Sequence, residues 1–155
     1  MSETSFEDLS TLLVSKGIAF KVLEHKPVFT MEDVVRELDI PRQSMAKVLL
    51  VSIIGKGLYR VVLPGMSRLN LQRLASVLGV SRRNIQFADK EVVEQAGFTV
   101  GAISPFGGQV STCIDQSLLD QEVLYCGAGD NDKTFSLKPA DIVSLSSALV
   151  ANIAD

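Results

Sequence analysis

The chain has 155 residues, 46% hydrophobic and 21% charged, with a formal net charge of −3. That length fits a single domain over residues 1–155, and the acidic balance argues against a protein that coats DNA, because such binding rests on many Lys and Arg contacts to phosphate. No apolar run approaches the roughly 18 residues of a membrane span. The polar start Met1-Ser2-Glu3-Thr4-Ser5-Phe6-Glu7 lacks the features of a secretory signal, so no membrane association and a cytoplasmic location are expected.

In chain order, apolar residues at Phe6, Leu9, Leu12, Leu13 and Val14 followed by Gly17 predict a first helix over 6–16. Ile18 to Leu23 reads as a short extended run broken by His25-Lys26-Pro27. Thr30 is positioned to cap a second helix with Glu32 and Asp33 in its first turn, and Pro41 bars its continuation. Lys47 to Ile54 and Leu58 to Leu63 flank Gly55-Lys56-Gly57, the pattern of an antiparallel hairpin of mostly buried strands at the sheet's centre. Asn70 and Asp89 each precede a helix closed by a glycine, Gly79 and Gly97 respectively. Strands are expected at Val110 to Ile114, Glu122 to Cys126 and Lys133 to Leu137, with Pro139 opening a last helix through Leu145. The interspersed order with hairpins predicts an α+β fold built on a mixed, mainly antiparallel sheet with surrounding helices.

Three common catalytic signatures are absent: no phosphate loop ending in Gly-Lys-Ser/Thr, no Gly-x-Ser-x-Gly elbow, no His-Glu-x-x-His. Two cysteines, Cys113 and Cys126, and one histidine lack paired metal-ligand spacing, so neither a metal nor a cofactor is expected. Asp130 and Asp132 read as turn residues beside Asn131. Lys47 heads the apolar run Val48-Leu49-Leu50-Val51, where an ammonium loses hydration unless an acceptor is supplied. The loop Gly101-Ala102-Ile103-Ser104-Pro105-Phe106-Gly107, freed by its glycines and stiffened by Pro105, is the expected source of that partner and of amides able to hold a developing oxyanion.

Lys47 on its strand, Val61-Val62-Leu63-Pro64-Gly65, Asn70-Leu71-Gln72-Arg73-Leu74-Ala75, Gln95 through Gly107 and Gly127-Ala128-Gly129 occur in an order that resembles the YbaK family, the free-standing relatives of the editing insertion domain of bacterial prolyl-tRNA synthetase. The resemblance runs from about His25 to Leu145. It implies hydrolysis of the ester joining a wrong amino acid to the terminal ribose of tRNA, typically alanine or cysteine on tRNA for proline, so the implied partners are the aminoacyl-tRNA acceptor end and prolyl-tRNA synthetase. Lys47 would orient the aminoacyl carbonyl or terminal phosphate, and amides near Gly101 and Ala102 would hold the ester end. Attack would come from water, or from the substrate's own thiol when the amino acid is cysteine. Phe29, His25, Val48, Ala102, Ile103, Ser104, Pro105, Phe106 and Gly127 are the implied substrate contacts. Val48 stands where cysteine-specific members often have Thr, and Lys133-Thr134-Phe135-Ser136 where they carry an aspartate-bearing stretch. The alternatives are a noncatalytic module binding an aminoacyl or nucleotide end in the same pocket, and a hydrolase using Ser104 or Cys113 as nucleophile.

Overall fold

A computed structural model describes residues 4–155; Met1, Ser2 and Glu3, the start of the polar N-terminal stretch, lie outside the described residues. The helix signals act locally and the structure follows them. Helix α1 (Phe6–Ser15) starts where the Ser5 hydroxyl accepts from the Asp8 N–H, and it buries Leu9 and Leu13, one turn apart. Complete burial of each leucine contributes about 2–3 kcal/mol. Helix α2 (Met31–Glu37) opens on a reciprocal capping box between Thr30 and Asp33. Asn70 caps α3 (Leu71–Leu78), Asp89 caps α4 (Lys90–Gln95), and α5 (Pro139–Ser146) begins on proline.

Among the described residues, eight strands form two sheets. The larger has the order β4-β2-β3-β5-β8, from Ile85–Phe87, Ala46–Ile53, Gly57–Pro64, Ser111–Asp115 and Leu149–Ala151; the smaller has β1-β7-β6, from Lys21–Glu24, Lys133–Leu137 and Leu124–Gly127. The β2–β3 hairpin is paired without a break from Ala46↔Pro64 to Ile53↔Gly57 and does lie inside its sheet. Pairing is mainly antiparallel, as expected, but β3–β5 and β5–β8 are parallel. The strands split into two sheets, and β4 and β8 add to the expected elements; at three residues each they are too short to show a period.

Alternation along β2 divides the interior. Val48 and Ala46 pack with Leu9, Leu13, Phe106 and Phe135 toward the smaller sheet, whereas Leu49, Val51 and Ile53 pack with Leu63, Leu74 and Cys113 under α3. The outer edge of β2 is only partly covered. Strand β4 pairs with Val51 to Ile53, and Met45 bridges to Tyr125 of the smaller sheet, so residues 46–50 have no strand paired on that edge. Ala88 closes the far end by donating its N–H to the Leu50 carbonyl, 2.9 Å.

Candidate active site

The uncovered stretch of β2 is one wall of a cavity of about 540 Å³. The other walls are α2 and the segment before it (Phe29, Met31, Val34), the end of β4 with Phe87 and Lys90, the loop Val100 to Ile103, and the Tyr125 to Gly127 end of β6. Two aromatic rings at this cavity are largely open to solvent, Phe29 at 61% and Phe87 at 55%. A volume of this size falls in the ordinary range of small-molecule pockets.

The 101–103 wall is held from several directions. Gly101 has φ +84°, and a Cβ there would meet the Phe29 backbone and the Asn131 amide at 3.0 and 3.1 Å. The Asn131 side chain donates to Val28 O (2.9 Å) and Val100 O (3.0 Å), while Val28 N–H donates to the Asn131 carbonyl, 2.8 Å. Gly129 N–H donates to Ala102 O, 3.0 Å. Ala102 lines the cavity, yet its N–H is spent on Thr99 O, 3.0 Å. Its expected part in an amide cradle is therefore corrected. Among the described residues the Gly101 and Ile103 N–H groups have no hydrogen-bond partner.

The acceptor expected to satisfy Lys47 is elsewhere. Lys47 borders the cavity, but its side chain follows the Leu49 face and Nζ donates to Ser67 O, 2.5 Å, in the turn after β3. Burial, and beside it the Arg68 charge, hold the Lys47 ammonium below the ordinary lysine range. The oxygen-rich side of the glycine loop is instead taken by Arg60, whose guanidinium donates to Ser104 O (3.2 Å), Gly107 O (2.8 Å) and Thr112 Oγ1 (3.0 Å). Burial pushes Arg60 down to about 10, which leaves it charged at neutral pH.

Phe29, Lys47, Val48, Gly101, Ala102, Ile103 and Gly127 come together around the cavity; His25, Ser104, Pro105 and Phe106 do not line it. Ser104 is buried, and its hydroxyl accepts from the Phe106 N–H. Phe106 stacks on Phe135 in the core, 5.9 Å between centroids. Pro105 is buried behind the wall. His25 sits one step outside, its Nε2 2.8 Å from the hydroxyl of Thr134, which is at the cavity. Cys113, the candidate nucleophile, does not line the cavity. Cys113 lies under α3 with its thiol pushed up to about 11 by burial and the Asp115 charge; Cys126 reaches the cavity, and burial pushes its thiol up as well. Asn131, Phe87 and Arg60 are the residues the sequence reading passed over.

The profile of the aminoacyl-tRNA editing domain matches residues 25–145. The chain belongs to this family. This editing domain is an enzyme, an aminoacyl-tRNA deacylase. It is 28% identical over 145 residues to the prolyl-tRNA synthetase associated domain-containing protein 1 of Bos taurus, covering 88% of this chain and 85% of that one. It is 25% identical over 134 residues to the prolyl-tRNA editing protein ProX of Acetoanaerobium sticklandii, covering 81% and 80%. The crystal structure of hypothetical protein APE2540 superposes with a TM-score of 0.86 at 24% identity, over 95% of this chain and 99% of that one, and so shares the fold.

Proposed function

We propose that this editing domain acts in trans on tRNA for proline carrying alanine or cysteine. The observation that carries the proposal is the cavity wall at residues 101–103, where the free N–H groups of Gly101 and Ile103 adjoin a chamber with apolar walls at Val48, Val100 and Ile103; Lys47, Lys90, Asp130 and Lys133 also line it. Two such amides stabilise the oxyanion that forms when water adds to the ester carbonyl. When cysteine is the amino acid, its own thiol attacks, and the protein again supplies position rather than a nucleophile.

Lys47 has a different part from a carbonyl contact. With Arg68 beside it, it makes a basic corner at the cavity's edge, suited to the phosphate that precedes the terminal ribose. Phe29 supports the base or ribose, Val48 and Ile103 bound the amino-acid side chain, and Gly127 lets the wall close on β6. His25 acts through Thr134 and the cavity's rim rather than by direct contact. The names of the relatives support prolyl-tRNA as the substrate and prolyl-tRNA synthetase as a partner that delivers it. We further propose that residues 1–155 act as one domain in the cytoplasm; no helix among the described residues is long and apolar enough to cross a membrane.

The test is deacylation of tRNA for proline charged with alanine, cysteine, serine or proline, comparing wild type with Lys47→Ala. Selective loss of the alanyl or cysteinyl ester, slowed at least about tenfold in Lys47→Ala, supports both substrate and role. Hydrolysis of correctly charged prolyl-tRNA at the same rate refutes the specificity, and full activity of Lys47→Ala refutes the part given to lysine.

A further inference from the structure

Arg60 is the largest buried polar side chain, 1% exposed, in the middle of the apolar run Leu58 to Leu63. It faces Leu50 across the hairpin and Thr112 across the parallel pair. A cation in such a place costs far more than an apolar side chain of the same volume unless its donors are met. They are met here by dipoles: Thr112 Oγ1, Ser104 O and Gly107 O. No ion pair involves it among the described residues. Gly107 and Gly108, at φ +85° and +72°, provide the turn after Pro105 and Phe106 within which the Gly107 carbonyl reaches the guanidinium.

The position of these contacts along the chain matters more than their number. Ser104 O is held immediately after Ile103, and on the other side Asn131 Nδ2 holds Val100 O immediately before Gly101. The segment 101–103 is thus slung between two side-chain anchors, one rising from β3 and one from the turn before β7. We propose that Arg60 is a positioning residue of the editing site: with Asn131 as counter-anchor, it sets where the Gly101 and Ile103 amides stand relative to the ester. Arg60 lines no part of the cavity and acts only through the loop. The catalytic half of this inference rests on the deacylase reading above; the anchoring half does not.

The test compares wild type, Arg60→Met, Arg60→Lys and Asn131→Asp by amide hydrogen exchange on the ligand-free protein and by kcat and KM on the ester that wild type hydrolyses. In Arg60→Met, exchange at 101–108 speeds up at least about tenfold while the β2–β3 amides keep their protection. The same variant loses at least about tenfold in kcat with KM changed less than about threefold. Arg60→Lys keeps the charge but not the planar fork, and recovers only part of kcat. Asn131→Asp, which replaces a donor to two carbonyls by an acceptor, loosens the same segment from its other end. The proposal is overturned if Arg60→Met folds with loop exchange and kcat unchanged, or if exchange rises evenly through the whole chain. Should Arg60→Met fail to fold, Arg60→Lys is read on the same amides by the same criteria. If wild type hydrolyses none of the esters, the deacylase reading falls, and the exchange data alone uphold or overturn the anchoring.

Discussion

Replacing Gly127 with Ala puts one methyl group against the wall that the proposed chemistry depends on. A Cβ at Gly127 would stand 2.4 Å from Ile103 O, 2.8 Å from Ile103 C and 3.0 Å from Ala102 C, where Cβ atoms essentially never come within 3.0 Å of a neighbour. The carbonyl and the new carbon must part by about 0.6 Å, and both are backbone-anchored, so the wall itself moves. Overpacking of this kind costs about 1–3 kcal/mol, which for a chain of this length lowers Tm by roughly 2–4 °C per kcal/mol. A displacement of about 1 Å at a reacting centre is worth up to about 100-fold in rate, so a shift just over half as large should cost about tenfold in kcat. Gly79→Ala is the matched control. It also adds a methyl group at a glycine, at φ +68° with nothing within 4 Å, and lies in the α3 cap away from the cavity. It should lower Tm by a comparable amount and leave kcat within about twofold. The assay is thermal unfolding beside single-turnover deacylation for both variants. If Gly127→Ala leaves kcat at the wild-type value, or if Gly79→Ala loses as much activity, the argument that wall position sets the rate is wrong.

Asp115 supports the C-terminal segment: its carboxylate accepts from the Ile153 and Ala154 N–H groups, each at 2.9 Å, and from Ser117. Burial alone would raise its pKa, but the bonds from the Ser117 hydroxyl and the Ile153, Ala154 and Ser117 amides outweigh it and hold the carboxyl below the usual aspartate range. Its contribution is therefore present above about pH 4, the unfolded value, and is lost as pH falls through the lower folded value, so the stability gap between wild type and Asp115→Asn should close on acidification below pH 4 in urea titrations; a gap unchanged down to pH 2 would refute this. Phe87→Ala removes an exposed ring at the cavity and should raise KM for the aminoacyl-tRNA about tenfold, with stability altered by less than about 0.5 kcal/mol. An unchanged KM would count against base stacking there. Both thiols should resist iodoacetamide at pH 8 in the folded protein and react only on unfolding, because burial raises both; stoichiometric labelling of Cys113 with loss of activity would revive a nucleophilic cysteine.

The legible parts of this chain were those whose cause lies within a few residues. Ser or Thr before a periodic run, Asn70 and Asp89 at helix starts, and glycine after the last turn act through bonds spanning three or four residues, so they can be read without knowing the fold. The hairpin was legible for the same reason. The parallel partners of β5 were not, since Cys113 meets Val61 on one side and Leu149 on the other across long separations. Phe29, Val48 and the 101–103 segment meet at one cavity, whereas Ser104 and Phe106 turn inward at the Gly107 and Gly108 turn. Lys47 drew attention as a cation on an apolar strand, yet the same signal at Arg60, flanked by Tyr59 and Val61, marked the residue that meets the loop's oxygens. Asn131 looked like a turn former because its two long-range bonds, to Val28 and Val100, leave no trace in its immediate neighbours.

The uncovered edge at residues 46–50 has a consequence for how this protein can change. A side chain in the middle of a fully laddered sheet is hemmed by neighbours on both sides, and a change in its volume must be absorbed by close-packed atoms. Val48 has β3 on one side and the chamber on the other, but it also packs with Leu9, Leu13, Phe106 and Phe135, so a larger side chain there takes room from chamber and core together. Selectivity and foldability are thereby tied together at that position: a replacement that reshapes the pocket's lining also presses on the core, and calls for a compensating change on the core side.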